Sequence, residues 1–274
     1  MLVNKVKSNA GFTLIEIAVV LVIVGFLLGS FIGSITQRIE TSQRESTKKQ
    51  LADIKVALLG FASAKGRLPC PATTTSNGFE NPFNGSTVAT PCTLQHGFIP
   101  GKSLGIDGVY NRDNLLIDVW GNPIRYSVTI NNSNAFTTPY TVPGAGGIKD
   151  VGITNLFPDL VICDADSGLS DTCDAGVTTL INNAPFVVLS LGKDGSDFVT
   201  NVAPNSDQGE NAGEATVVAN AAGENIAYTV GSGNAFVNKS YSSDAAAAGQ
   251  FDDLIVWESP YILYSHMLEA GQLP

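Results

Sequence analysis

The sequence predicts an α+β protein: one long N-terminal helix, transmembrane in its first part, packs its outer half on an antiparallel sheet, with long loops and a short C-terminal helix. Three observations carry this. Ile17 to Gln37 holds no charge and is long enough to span a bilayer as a helix, which takes about 20 residues. Leu51, Ile54, Leu58 and Phe61 then recur at helical spacing as a narrow apolar stripe. Short runs rich in β-branched and aromatic residues follow, separated by Gly, Asn and Ser. Composition narrows the function. Fifteen Lys and Arg against 25 Asp and Glu give a formal charge of -10, which disfavours bulk binding of a nucleic acid backbone. Two His and four Cys without C-x-x-C spacing leave few ligands for zinc or groups for catalysis, so no enzyme is expected.

Taken in order, Lys5 and Lys7 form a positive flank that keeps the N-terminus cytoplasmic and sends the rest of the chain outward. The apolar run passes through Gly29, Ser30 and Gly33 into a polar helix, so a retained segment is expected rather than a cleaved secretory signal. One helix is predicted from Phe12 to about Lys65, roughly 80 Å long at 1.5 Å per residue, with the membrane part at about 12–37 and with Gly66 and Pro69 as stops. The exported globular domain then covers 66–274. Its predicted strands are Ile124 to Ile130, Leu160 to Cys163, Phe186 to Leu191 and Asp253 to Trp257. Asn131 to Pro158 and Asn201 to Gln250 read as long loops or an inserted hairpin. Ser259 caps a last helix with Pro260 in its first turn, and Gly271 and Pro274 end it.

Glu16 does not fit an ordinary anchor, since a carboxylate in lipid costs about 2 to 4 kcal/mol and calls for a partner. Gly25, Gly29 and Gly33 form two overlapping G-x-x-x-G patterns; close helix packing and the ordinary abundance of glycine in membrane helices are both open readings. Four Cys in an exported chain suggest two disulfides. Counting leaves three connectivities, and sequence proximity favours Cys70 with Cys92 and Cys163 with Cys173. His96 and His266 have no recognisable metal or nucleophile context. The N-x-S/T matches at Asn84, Asn131 and Asn238 are short enough to arise by chance.

The residues GFTLIE, Gly11 to Glu16, resemble the processing site of the type IV pilin family, which includes the pseudopilins of type II secretion. The resemblance implies a leader of residues 1–11, cleavage between Gly11 and Phe12 by prepilin peptidase, and N-methylation of Phe12. Glu16 would become the fifth residue of the mature chain and pair with the N-terminal amine of a neighbouring subunit, each charge cancelling one that is costly in lipid. The implied partners are the membrane, other copies or other pilin-like subunits, and a filament assembly platform and motor. The implied place is the bacterial inner membrane as a single-pass protein, then a periplasmic pseudopilus or an extracellular pilus. Many pilins carry a proline where Gly33 stands.

Further along, DVWGNPIRY, Asp118 to Tyr126, looks like the tryptophan-glycine-asparagine-proline turn of pseudopilins. SLGKDGSD, Ser190 to Asp197, looks like their calcium loop, with FDDLIVW from Phe251 as its downstream strand. Calcium at Asp194, Asp197, Asp252 and Asp253 is therefore an expectation of the resemblance. A second oxygen-rich place, Asp164, Asp166, Asp171 and Asp174, begins D-x-D but lacks the spacing and terminal glutamate of an EF-hand. The expected function is a structural filament subunit. The alternatives are a secretion pseudopilin or a minor tip subunit that binds through its long loops.

Overall fold

The computed structural model describes residues 13–82, 91–140, 143–165, 171–196, 207–219, 225–230, 233–242 and 250–273; the side chains of 28–36, 214–219 and 225–230 are not described. The chain divides into two units, 1–43 and 44–274.

In the first unit, helix α1 (Leu14–Lys65) begins at a capping box. The Glu16 carboxylate accepts hydrogen bonds from the Thr13 N–H and Thr13 Oγ1, both at 2.8 Å, while the Glu16 N–H donates to Thr13 Oγ1 at 3.3 Å. Leu14, Ile15, Leu21, Phe26 and their apolar neighbours are exposed. Among the described residues, no helix is long and apolar enough to cross a membrane. The apolar run expected over Ile17 to Gln37 falls in part on side chains 28–36, outside that description.

The second unit is organised around a four-stranded antiparallel sheet in the order β1-β2-β5-β9. Its strands are β1 (His96–Phe98), β2 (Arg125–Val128), β5 (Phe186–Ser190) and β9 (Leu254–Trp257). Three of the four predicted strands enter it. The fourth, β3 (Leu160–Cys163), instead joins a second sheet in the order β4-β3-β8, where it lies antiparallel to β4 (Thr179–Ala184) and parallel to β8 (Ala235–Val237). A single antiparallel sheet was the expectation. The difference arises because β5 is apolar on both faces and needs cover on each. Phe186 and Val188 point toward α1, whereas Val187 and Leu189 pack with Leu160, Ile162 and Phe236 of the second sheet.

On the first face, Leu51, Ile54 and Leu58 of α1 meet Tyr126, Val128 and Leu254 from the sheet and Leu263, Tyr264 and Met267 from the C-terminal helix α6 (Pro260–Glu269). Phe61, expected on this stripe, is only half-buried and stacks under the Arg67 guanidinium at 5.2 Å; Leu59 and Ala62 take its place in the core. The straight i, i+3, i+4 count places Phe61 at the edge of the buried face. Gly66 ends α1 in a left-handed conformation, φ 69°, with its N–H on the Ala62 carbonyl at 2.8 Å. The Ser259 hydroxyl caps α6 by accepting from the Tyr261 N–H at 3.3 Å, with Pro260 in the first turn.

The remaining elements are short. Helices α2 (Gly101–Leu104) and α4 (Ile148–Val151) are single turns. Segment α3 (Asn131–Asn134) is a turn of the opposite hand. The region 201–250, read as loop or inserted hairpin, contains α5 (Asp207–Ala212), the hairpin β6 (Glu214–Ala219) to β7 (Asn225–Val230), and β8. Disulfides join Cys70 to Cys92 and Cys163 to Cys173, the pairing that proximity favours.

Candidate functional site

Two places carry candidate chemistry, one in each unit. In the first, Gly11 and Phe12 lie outside the described residues. Glu16 is engaged with Thr13 of its own chain, a capping role that sequence reasoning missed although Thr13-x-x-Glu16 is the sequence signature of a capping box. Among the described residues, apart from the backbone of its own helix, no atom comes within 4 Å of a side chain built at Gly25. Gly29 and Gly33 fall in the stretch whose side chains are not described.

In the second unit, the two motifs that resemble pseudopilin loops come together. The turn after Ile117 is built by Asp118: its Oδ1 accepts from the Trp120 and Asn122 N–H groups at 2.9 Å each. Gly121 supplies the positive φ of 93° that the turn needs. The other Asp118 oxygen accepts from Ser190 Oγ at 2.6 Å, and Asn122 Nδ2 donates to the Gly192 carbonyl at 2.7 Å. The Trp-Gly-Asn-Pro turn is thus pinned to the start of the Asp194 loop. Burial raises the Asp118 carboxyl above its ordinary range, against the Ser190 hydroxyl and the backbone donors that favour the charged form.

That loop faces Asp252 and Asp253 at the start of β9. Asp252 accepts from the Lys193 N–H at 2.7 Å on one oxygen and from Gln208 Nε2 at 2.7 Å on the other. Gln208 Nε2 also reaches Asp194 Oδ1 at 3.3 Å. Asp253 Oδ2 accepts from Asn211 Nδ2 at 2.8 Å, whereas its Oδ1 is buried without a hydrogen-bond donor among the described residues. A side chain at Gly192 would run into the Asp252 carboxylate at 2.5 Å, so only glycine lets the loop approach this closely. Arg44 donates to the Asp252 carbonyl at 2.8 Å and brings a positive charge to the cluster's edge.

The charges here are undercompensated. Burial, reinforced by Asp252, pushes the Asp194 carboxyl up to about 7. Burial raises Asp253 well above the carboxylate range; Asn211 and Arg44 pull the other way, and Asp252 and Asp194 add to the rise. The structure therefore brings together Asp194, Asp252 and Asp253 of the expected calcium set, while Asp197 lies outside the described residues. Among the described residues, no group of three or more His, Cys, Asp or Glu side chains is arranged to hold a metal ion. The feature that fits a cation is the orphaned Asp253 Oδ1 amid like charges.

Sequence reasoning missed the α5 residues Gln208 and Asn211, because a helix in a Gly- and Asn-rich stretch is read as loop. The spacing of Asp207 and Glu210 was the available signal of a helix start. The second oxygen-rich place behaves as a set of turn acceptors. Asp164 Oδ1 accepts from the Thr178 N–H at 2.8 Å and Asp171 Oδ1 from the Asn234 N–H at 3.1 Å; Asp166 lies outside the described residues. His96 is buried, with Nδ1 at 2.9 Å from Ser127 Oγ, and burial lowers it to about 4, so it is a neutral core imidazole.

Comparison with protein families matches residues 6–32 to the prokaryotic N-terminal methylation motif. That motif is the prepilin signal of type IV pilins and pseudopilins, and the chain carries it. No curated protein and no solved structure matches the chain.

Proposed function

We propose that the chain is a structural subunit of a type IV filament, a pilus or a pilus-like assembly. It is made as a prepilin, cut between Gly11 and Phe12, N-methylated on Phe12 and assembled through its N-terminal helix. The methylation motif over residues 6–32 carries this reading. The row of exposed apolar side chains from Leu14 to Leu27 supports it, since such a surface requires lipid or a partner helix. In this reading the helix holds the protein in the bacterial inner membrane as a single-pass anchor with a cytoplasmic N-terminus. Gly25, Gly29 and Gly33 lie at close helix contacts in the filament. The assembly platform and motor then draw subunits into it. The exported domain serves as the filament coat and not as an enzyme.

Calcium belongs to the same reading. Asp194, Asp252 and Asp253 would hold it, with Asp197 as a further oxygen donor, and it would supply the positive charge that the cluster lacks.

The test is mass spectrometry of filaments sheared from cells. A peptide beginning at Phe12, abundant in the sheared fraction, is the expected result for a pilus subunit; its confinement to the envelope favours a secretion pseudopilus or a minor tip subunit. Gly11→Ala should block processing. If a peptide starting at Phe12 still accumulates from that variant, the cleavage assignment is wrong.

A further inference from the structure

The second unit holds a cavity of about 550 Å³ that neither the N-terminal segment nor the carboxylate cluster uses. It lies between the segment 153–158, strand β4 and the start of α6. Its size falls within the range of about 300 to 1,000 Å³ typical of small-ligand sites.

The chemistry of its walls is selective. In a chain of net charge -10, no charged side chain among the described residues lines this cavity, so neither an anion nor a cation finds a counter-charge in it. Two rings stand open to solvent at its walls: Phe157 is 63% exposed and Tyr261 is 74% exposed. Asn182 and Asn183 of β4 add amide donors and acceptors. Tyr264 also lines the cavity; it is 5% exposed and its hydroxyl is closed off from solvent, so the residue contributes its ring and not its hydroxyl to the wall.

The wall that carries Phe157 is held in place at the expense of backbone strain. Asn132, Ser133 and Asn134 have successive left-handed φ values of 54°, 57° and 63°, a conformation unfavourable for residues other than glycine. Their neighbourhood grips the segment before β3. Asn131 Nδ2 donates to the Phe157 carbonyl at 2.7 Å, Asn132 Nδ2 donates to the Asn155 carbonyl at 2.8 Å, and the Phe157 N–H donates to Asn132 Oδ1 at 2.8 Å. These bonds fix the backbone of a residue whose ring stays in water. Core packing does not require that; a preorganised contact does.

A purely apolar ligand would leave two amides unpaired, and a charged ligand would be desolvated against uncharged walls. The remaining class is neutral, rich in hydroxyls and apolar on one face. We propose that this cavity binds a neutral pyranose sugar, its C–H face against Phe157 or Tyr261 and its hydroxyls on Asn182 and Asn183. The site does not depend on the filament reading, since every group in it belongs to the second unit.

Saturation-transfer NMR on the detergent-solubilised full chain tests it, with methyl glucoside, methyl galactoside and methyl N-acetylglucosaminide as probes and sialyllactose as the charged comparison. The expected result is saturation of ring C–H protons on at least one neutral sugar, reduced about tenfold or more by Phe157→Ala and Tyr261→Ala. Both residues are exposed, so these variants keep the fold. No transfer to any neutral sugar, or transfer unchanged in the Phe157 and Tyr261 variants, overturns the proposal. So does a preference for the charged probe. Loss of self-association in Phe157→Ala or Tyr261→Ala, without any sugar signal in the parent chain, would assign the cavity to a second copy of the protein and overturn it as well.

Discussion

Glu80→Ala should destabilise the second unit by about 3 to 5 kcal/mol, because it leaves a guanidinium buried without its counter-ion. Arg67 and Glu80 are 3% and 4% exposed and meet in a two-pronged pair, Nη1 to Oε2 and Nη2 to Oε1, both at 2.8 Å. Each partner also ties down backbone where α1 ends. Arg67 Nη1 donates to the Leu68 carbonyl at 3.0 Å, and Glu80 Oε2 accepts from the Cys70 N–H at 3.1 Å. The double variant Arg67→Met with Glu80→Met removes both charges and fills the space. Its cost should fall to about 1 to 2 kcal/mol, the worth of the two backbone hydrogen bonds that lose a partner. The assay is urea unfolding of the full chain in detergent, followed by tryptophan fluorescence, since Trp120 and Trp257 both lie in this unit. A loss below about 1 kcal/mol in Glu80→Ala, or a double variant no more stable than that single one, would refute the reasoning.

Three further outcomes are expected. His96 has its folded pKa lowered to about 4 by burial, so between about pH 6.5 and 4 the unfolded chain takes up a proton that the folded chain refuses. Stability from this group is therefore full above pH 6.5 and falls by about 3 kcal/mol on acidification, and His96→Asn should flatten the pH dependence by that amount. Asp194 titrates in the same window with the opposite sign and cancels in the comparison; equal acid sensitivity in both chains would sink the assignment. Millimolar calcium should stabilise the parent chain by up to about 2.7 kcal/mol at a hundredfold excess over Kd, seen as a raised thermal midpoint, and leave Asp194→Ala unmoved; a parent midpoint the same in calcium and in chelator rejects the ion. Glu16→Gln should keep the capping box, because glutamine serves in it, yet assemble poorly for want of a charge; wild-type filament incorporation of that variant would show that the cap, and not charge pairing, is what Glu16 contributes.

How far the sequence could be read depended on how local each cause is. The α6 cap was legible because Ser259 and Pro260 act on their own turn. The stop at Gly66 was legible for the same reason. Strands β2, β3, β5 and β9 showed in their β-branched and aromatic content, but their partners did not. Nothing in Leu160 to Cys163 announces that it pairs with Ala235 to Val237 in a parallel register. Asp194, Asp252 and Asp253 were legible as candidate ligands through resemblance alone. The raised proton affinities of Asp194 and Asp253 come from burial beside α5, which a Gly- and Asn-rich stretch concealed.

By itself the sequence determined the processing motif, the apolar N-terminal run and the α+β class, since each depends on residues adjacent in the chain, while proximity favoured, out of three connectivities, the disulfide pairing that the structure shows. The tertiary structure alone decided which carboxylates share a site, that Arg67 finds Glu80, and that Phe157, Tyr261, Asn182 and Tyr264 surround one cavity. Those residues come from separate segments of the second unit. Only the packing of both faces of β5 brings such segments within reach of one another, and that packing is a sum over many contacts with no local signature.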